Sequence, residues 1–337
     1  MIKQMMLPLK NMFLLTVGMM LLVLYFVWAS QGTEVARRFA HQENVFVCHI
    51  SFEDSRGKQT TGLPKIYFVT PTYPRREQAA ELTRLGQTLM HVPDIHWIVA
   101  DDNQSCNAMV AKLLKKFGIP FTHISSPMPE VYRKANIVPR GVANRRAAIN
   151  WIRKNAQHGV IYFGDDDNTF DLKLFEEIRD TKKVSMFPVG LIGDYAVSSP
   201  ILKEGKVIGF FDSWPSKRKF PVDMAGFAVN VEFLLHPNAT MPYKAGYEED
   251  QFLRSLGLAL EDIEPKADSC TQILVWHTQT SKKVSPTIRI GSELDTSLKD
   301  LLEEITALGM GHVSLSSGVK SYITKDGKTK PLKLFPY

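Results

Sequence analysis

From Pro64 onward, short apolar runs alternate with amphipathic stretches, and that order constrains the fold more than any other feature of the chain. KIYFVT reads as a strand, EQAAELTRLGQTLMHV as a helix, HWIVA as a strand, CNAMVAKLLKKFG as a helix and FTHIS as a strand. ANRRAAINWIRKNA is then a helix and VIYFG a strand again. Strands and helices in this succession are the pattern of a parallel sheet wound with helices. In such sheets ligands bind beyond the carboxyl ends of the strands, where the strand order reverses. The loops at those ends are Pro71-Thr72-Tyr73, Asp101-Asp102-Asn103 and Asp165-Asp166-Asp167, so three polar loops are expected to converge on one crevice.

The second half is less regular. VSMFPVGLI, VIGFF and FPVDMAGFAVNV read as strands, EEDQFLRSLG as a helix and ILVWHTQT as a closing strand, which implies a mixed sheet fused to the first. A chain of 337 residues with 44% apolar content can bury one large or two ordinary cores. Beyond Pro286, SLKDLLEEITALG reads as an amphipathic helix and GKTKPLKLFPY as a basic end.

Three adjacent aspartates after a buried strand repel one another unless something holds them. Hard carboxylate oxygens suit Mn²⁺ or Mg²⁺, and a cation shared with two phosphates would neutralise the turn and fix a nucleotide diphosphate. A solvated acidic turn ahead of the LKLFEEIRD helix is the competing reading. The net charge of +6, from 41 basic and 35 acidic residues with no run of five basic ones, argues against nucleic acid as a partner.

Residues 12–30 form an uncharged apolar run close to the minimum length for crossing a ~30 Å hydrocarbon core. Lys3 and Lys10 precede it, which favours a cytoplasmic N-terminus for residues 1–11 and a signal anchor at 12–30, with a cleaved signal peptide as the alternative. Residues 31–63 are polar and read as a stem. Cys48, Cys106 and Cys270 make an odd count, so one stays free or pairs between chains, and Cys48 in the stem could form such a chain-to-chain bond. Asn103 and Asn238 head formal glycan acceptor triplets.

TPTY at 70–73, HWIVADDN at 96–103, PRGVANRR at 139–146, YFGDDDNTF at 162–170, FPVGLIG at 187–193, FPVDMAGFAV at 220–229 and LVWHTQT at 274–280 together resemble the animal β-1,3-glucuronosyltransferases, in the same order. The resemblance covers about residues 64–283. It implies an α/β glycosyltransferase A-type fold, with a Rossmann-like UDP-sugar half at 64–168 and an acceptor half at 169–285, and leaves the 286–337 tail without a role. It also implies a single-pass type II Golgi membrane protein with a lumenal catalytic domain, a homodimer, Mn²⁺ as cofactor, UDP-glucuronic acid as donor and the 3-hydroxyl of a terminal β-galactose as acceptor.

Carried over position by position, the resemblance places Pro71, Thr72 and Tyr73 beside the uracil and Asp102 on the base. Asp166 falls on the ribose, Asp167 on the metal, Asp165 and Arg145 near the sugar, and Arg140 and His277 along the donor. Arg218 and Asp223 fall on the acceptor sugar. The base falls on Glu249, three residues after the glycine of GYEEDQFL. Each has a plainer alternative: Arg140 and Arg145 as solvated surface, His277 as a core histidine, Asp223 as a buried hydrogen-bond hub, and Glu248, Glu249 and Asp250 as a helix start favoured by the dipole. Three positions depart from the family. Ser198 stands where it has a glutamate on the acceptor galactose, Gln279 where it has an arginine, and Ala245 where an arginine precedes the glycine. A transferase with altered donor or acceptor and a carbohydrate-binding pseudoenzyme are therefore the rival readings.

Overall fold

The computed structural model describes residues 19, 20, 22, 45–57, 61–290, 297–315 and 321–331. The expected cytoplasmic tail, and the expected anchor apart from helical Met19, Met20 and Leu22, lie outside the described residues. Among the described residues no helix is long and apolar enough to cross a membrane. Residues 1–43 and 44–337 are separate units, and the second contains everything below.

Along the chain run β1 (Phe46–Ser51), β2 (Ile66–Thr72), β3 (Ile95–Asp101), β4 (Phe121–Ser125), β5 (Val160–Phe163), β6 (Thr169–Phe170), β7 (Val184–Met186), β8 (Val189–Gly190), β9 (Val197–Lys203), β10 (Lys206–Phe211), β11 (Phe227–Asn230), β12 (Ile263–Pro265) and β13 (Val275–Trp276). Among the described residues, eight of them form the central sheet in the order β1-β4-β3-β2-β5-β11-β7-β12. The pairs β2–β3, β3–β4 and β2–β5 are parallel, as the alternating pattern requires. Strand order runs outward from β2 to β4 and then resumes at β5 on the other side, so the reversal lies between β2 and β5.

The parallel strands β2 to β5 are mostly apolar and buried on both faces because both are covered. Ile66 and Phe68 of β2 pack with Leu82 and Leu85 of helix Gln78–Leu89 and Val110 and Leu114 of helix Ala108–Lys116. Tyr67 and Val69 face the other way, against Ile149 and Ile152 of helix Val142–Asn155. Asn107 starts the second of these helices by accepting the N–H groups of Met109 and Val110 at 3.1 and 3.4 Å, and Lys115 and Lys116 complement its C-terminal dipole.

Strands from the second half continue the central sheet and also build a second one, in the order β10-β9-β8-β13-β6. The closing strand is shorter than ILVWHTQT: only Val275–Trp276 pair, and the residues after them run irregularly. The tail is more than a helix and a basic end. β14 (Thr287–Ile290), β15 (His312–Leu315), β16 (Tyr322–Lys325) and β17 (Lys328–Pro331) form a small sheet, with Leu302 of helix Ser297–Ala307 packed on Ile288 and Ile290.

The stretch expected to be a stem is partly inside the fold. β1 pairs antiparallel with β4 as the edge of the central sheet, and Cys48 is bonded to Cys106. A chain-to-chain disulfide at Cys48 is thereby corrected to one within the chain, and Cys270 is the free thiol, its pKa pushed up to about 11 by burial. Asn238 is exposed and Asn103 partly buried.

Candidate active site

A cavity of about 830 Å³ opens beyond the carboxyl ends of β2, β3 and β5. It sits at the reversal of strand order, where such sheets hold ligands. Pro71, Thr72, Tyr73, Asp102, Arg140, Arg145, Asp165, Asp166, Asp167 and His277 all line it, so the three loops converge as expected. Of the loop after β3 only Asp102 reaches the wall. Asp101 is fully buried, which raises its carboxyl to about 6.

The three aspartates are held differently. Asp165 is ion-paired with the buried Arg145. Asp166 takes a two-pronged contact from Arg75, Nη1 to Oδ2 and Nη2 to Oδ1, both at 2.7 Å, and the Thr72 hydroxyl donates to its Oδ2 at 2.7 Å. Thr72 thus supports Asp166. Asp167 is fixed through its backbone carbonyl, which accepts from Arg84 Nη2 at 2.7 Å and from the Thr278 hydroxyl, and none of the ion pairs of the described residues involves its carboxylate. Burial, with Asp166 and Asp165 next to it, raises the pKa of that carboxyl against the opposing influence of Arg75 and the Thr280 backbone.

Among the described residues no group of three or more histidine, cysteine or carboxylate side chains is placed to hold a metal. A hard carboxylate without a counter-cation fits a divalent ion that takes one or two protein oxygens and completes its shell with substrate phosphates and water.

Arg75 was missed in the sequence. The sequence signal for it is one of charge: a run of aspartates needs cations, and the Arg75-Arg76 pair stands just past β2. Because the side chains of Arg75 and Asp166 are only 8% and 7% exposed, removing one strands the other. Arg75→Ala should cost about 3–5 kcal/mol of stability, read by urea denaturation. A loss under 1 kcal/mol would mean water reaches Asp166.

Asp102 is anchored by one oxygen. Its Oδ1 accepts the Met128 N–H at 2.7 Å and pairs with Arg133, another residue the sequence reading passed over. Gly141 starts the helix that carries Arg145, with φ 73°, and a Cβ there would lie 2.5 Å from Arg145 Nη1. Only glycine admits both the backbone turn and the guanidinium. Arg140 is exposed at the rim.

On the far side, His277 Nδ1 lies 3.3 Å from Asp223 Oδ2, an ion pair whose alignment falls short of a hydrogen bond. Asp223 raises the His277 pKa to about 9 against the cost of burial, with Asp165 and Asp167 assisting, so the ring is cationic at neutral pH. Asp223 also caps the turn Met224–Gly226 by accepting the Ala225 N–H at 2.9 Å. It therefore acts as a hydrogen-bond hub next to His277, and it does not itself line the cavity.

Glu249 does not line the cavity wall but sits in the first turn of helix Glu248–Ser255. Burial of its carboxyl is the largest influence and Asp223 the next, and together they raise its pKa to about 8 against its backbone N–H and Arg145. The residue keeps partial surface while its carboxyl lies deep, and it is the carboxyl's surroundings that govern its proton. Asp250 is excluded as a base, since its Oδ1 accepts the N–H groups of Lys219 and Phe220 at 2.7 and 2.9 Å and Arg254 Nε at 3.0 Å. Gly246, with φ 77°, admits the Trp214 ring where a Cβ would meet it at 2.0 Å. Arg218 lies over Trp214 at 4.9 Å and bonds Asp212 at 3.1 Å. Ser198 is buried in β9 and its hydroxyl has no hydrogen-bond partner among the described residues. Gln279 lines the cavity, its amide 3.0 Å from His277 Nε2, and Ala245 is half-buried before Gly246.

Residues 85–281 match the profile of glycosyltransferase family 43. Over 301 residues the chain is 53% identical to galactosylgalactosylxylosylprotein 3-beta-glucuronosyltransferase S of Drosophila melanogaster, spanning 86% of this chain and 74% of that one. The chain belongs to glycosyltransferase family 43. It is also 42% identical over 229 residues to the human enzyme named galactosylgalactosylxylosylprotein 3-beta-glucuronosyltransferase 2, covering 65% of this chain and 70% of the relative. Among solved structures, TarS 1–349 of S. aureus aligns with a TM-score of 0.43 at 14% identity over 64% of this chain and 60% of that one, too distant to bear on the site. As a family 43 glycosyltransferase, the chain carries a nucleotide-sugar type of cavity at the strand-order reversal and an acidic helix start beside it.

Proposed function

We propose that this protein transfers glucuronic acid, with inversion, from UDP-glucuronic acid to the 3-hydroxyl of a terminal β-galactose on a glycan. The observation that supports this most is the cavity at the strand-order reversal, which carries on its wall a carboxylate, Asp167, that no ion pair of the described residues engages, while the buried carboxyl of Glu249 feels Asp223 and Arg145. Asp102 and the Pro71–Tyr73 edge take the base, Asp166 the ribose, and Asp167 would hold Mn²⁺. When bound, that ion would neutralise charge on the departing diphosphate. Glu249 takes the proton from the acceptor hydroxyl as that oxygen attacks the anomeric carbon, and one displacement gives the β product without a covalent enzyme intermediate. Cationic His277 and Arg145 flank the sugar, while Arg218 and Asp223 orient the acceptor.

The apolar run at 12–30 is read as the anchor of a type II Golgi membrane protein, and the Cys48–Cys106 bond suits an oxidising lumen. A homodimer is part of the same proposal.

UDP release with a panel of nucleotide sugars and β-galactosides, with and without Mn²⁺, tests the reading. Release specific to UDP-glucuronic acid, a galactoside and the metal is expected. Because Ser198 is buried where the family has an acceptor-binding glutamate, the panel must vary the sugar beneath the galactose. Binding of UDP without turnover on any acceptor would leave the pseudoenzyme reading in its place.

A further inference from the structure

We propose that Lys282 is the cation that binds the donor diphosphate in this chain, in place of the arginine that the family carries at Gln279. The inference rests on the donor-site reading above and names the group that completes it.

Most cations around the cavity are already engaged. Arg145 is paired with Asp165, Arg75 with Asp166, Arg133 with Asp102, and His277 with Asp223. Gln279 brings no charge, and its side-chain amide lies 3.0 Å from His277 Nε2. Arg140 and Lys282 are the cations on the wall with no acidic partner among the described residues. A nucleoside diphosphate and the Asp167 carboxylate together carry more negative charge than one divalent cation would offset, so these two groups are where the remainder finds compensation.

Lys282 is also held in place. Its Nζ lies 5.2 Å from the centre of the Tyr73 ring, at the end of β2 beside the aspartate turn. On one side of it the Thr280 hydroxyl donates to Glu81, and on the other the Lys283 N–H donates to Glu77 Oε1 at 3.2 Å. Both glutamates flank the start of helix Gln78–Leu89, so the loop is tied down on either side of the lysine and presents the ammonium at the mouth. Gln279 stands three residues earlier in the same loop and lines the same cavity. A lysine acts on phosphate as a point charge and needs no two-pronged geometry, which is why it can serve from a neighbouring position where an arginine is absent.

The test is calorimetric titration of UDP and of uridine, with Mn²⁺ present, on the wild type, on Lys282→Met, and on Lys282→Met combined with Gln279→Arg. Methionine keeps a stem over Tyr73 and removes the charge. The UDP dissociation constant should rise about tenfold or more in Lys282→Met while uridine binding stays unchanged. Adding Gln279→Arg should recover most of that loss, and the salt dependence of UDP binding should be shallower in the single variant than in the wild type. Wild-type UDP affinity in Lys282→Met would overturn the proposal, as would an equal loss for uridine, which would make the lysine a wall for the base. Wild-type protein that binds neither ligand would overturn the donor-site reading itself, and the role of Lys282 with it.

Discussion

Glu249→Gln lowers kcat by about 10²–10⁴-fold and leaves UDP binding intact, because the substitution keeps the side chain's shape and removes only its capacity to take a proton. Glu248→Gln does far less, since neighbouring side chains on a helix point about 100° apart and cannot share one acceptor hydroxyl. The pH profile gives a second readout. With Glu249 raised to about 8, kcat/KM of the wild type climbs with pH until roughly that value, and the limb is lost in the variant. Stability moves in the opposite sense. A carboxyl whose folded pKa is raised contributes stability that is complete below its ordinary 4.5 and is lost as pH rises through about 8. Glutamine does not ionise, so the Tm of Glu249→Gln should gain on the wild type by a few degrees between pH 5 and pH 9. Swapped behaviour of the two variants would shift the base by one residue, and full turnover in both would reduce the acidic run to a helix start.

Asp167→Ala loses Mn²⁺-dependent UDP affinity and turnover together, by about a hundredfold or more, as expected for a carboxylate that holds a cation against the diphosphate. Its folding should not suffer. Its pKa is raised by burial and by two neighbouring aspartates, so the ionised side chain opposes folding at neutral pH, and removing it leaves Tm unchanged or higher. Undiminished Mn²⁺-dependent UDP binding by a folded variant would remove the metal from this turn.

The parallel half of the sheet was legible because β2, β3, β4 and β5 are covered on both faces, which writes them as short, mostly apolar runs without a solvent-facing alternation. The crevice was legible because its loops carry charge immediately after those runs. Other parts left weaker marks. β1 is an edge strand with little burial, so FVCHIS reads as stem, and nothing in its spacing chooses Cys106 over Cys270. β9 carries Pro200 in its middle, a residue that argues against a strand by its missing N–H. The tail strand Lys328–Pro331 is exposed along its whole length and shows no apolar alternation. Arg75 meets Asp166 across 91 positions, and such a pairing becomes visible only once β2 and β5 are known to be neighbours.

The edge strand decides where a shortened form of this enzyme can begin. Cutting just before Pro64, where the polar stretch ends, would strip β1 from the sheet and leave β4 with a row of unsatisfied backbone groups, an invitation to pair with another molecule. It would also free the Cys106 thiol and wet His123, whose ring stacks on His49 at 6.2 Å and whose burial holds its pKa near 4. Secreted protein begun at residue 44 should stay monodisperse, whereas protein begun at residue 64 should form disulfide-linked aggregates that a reducing gel dissolves.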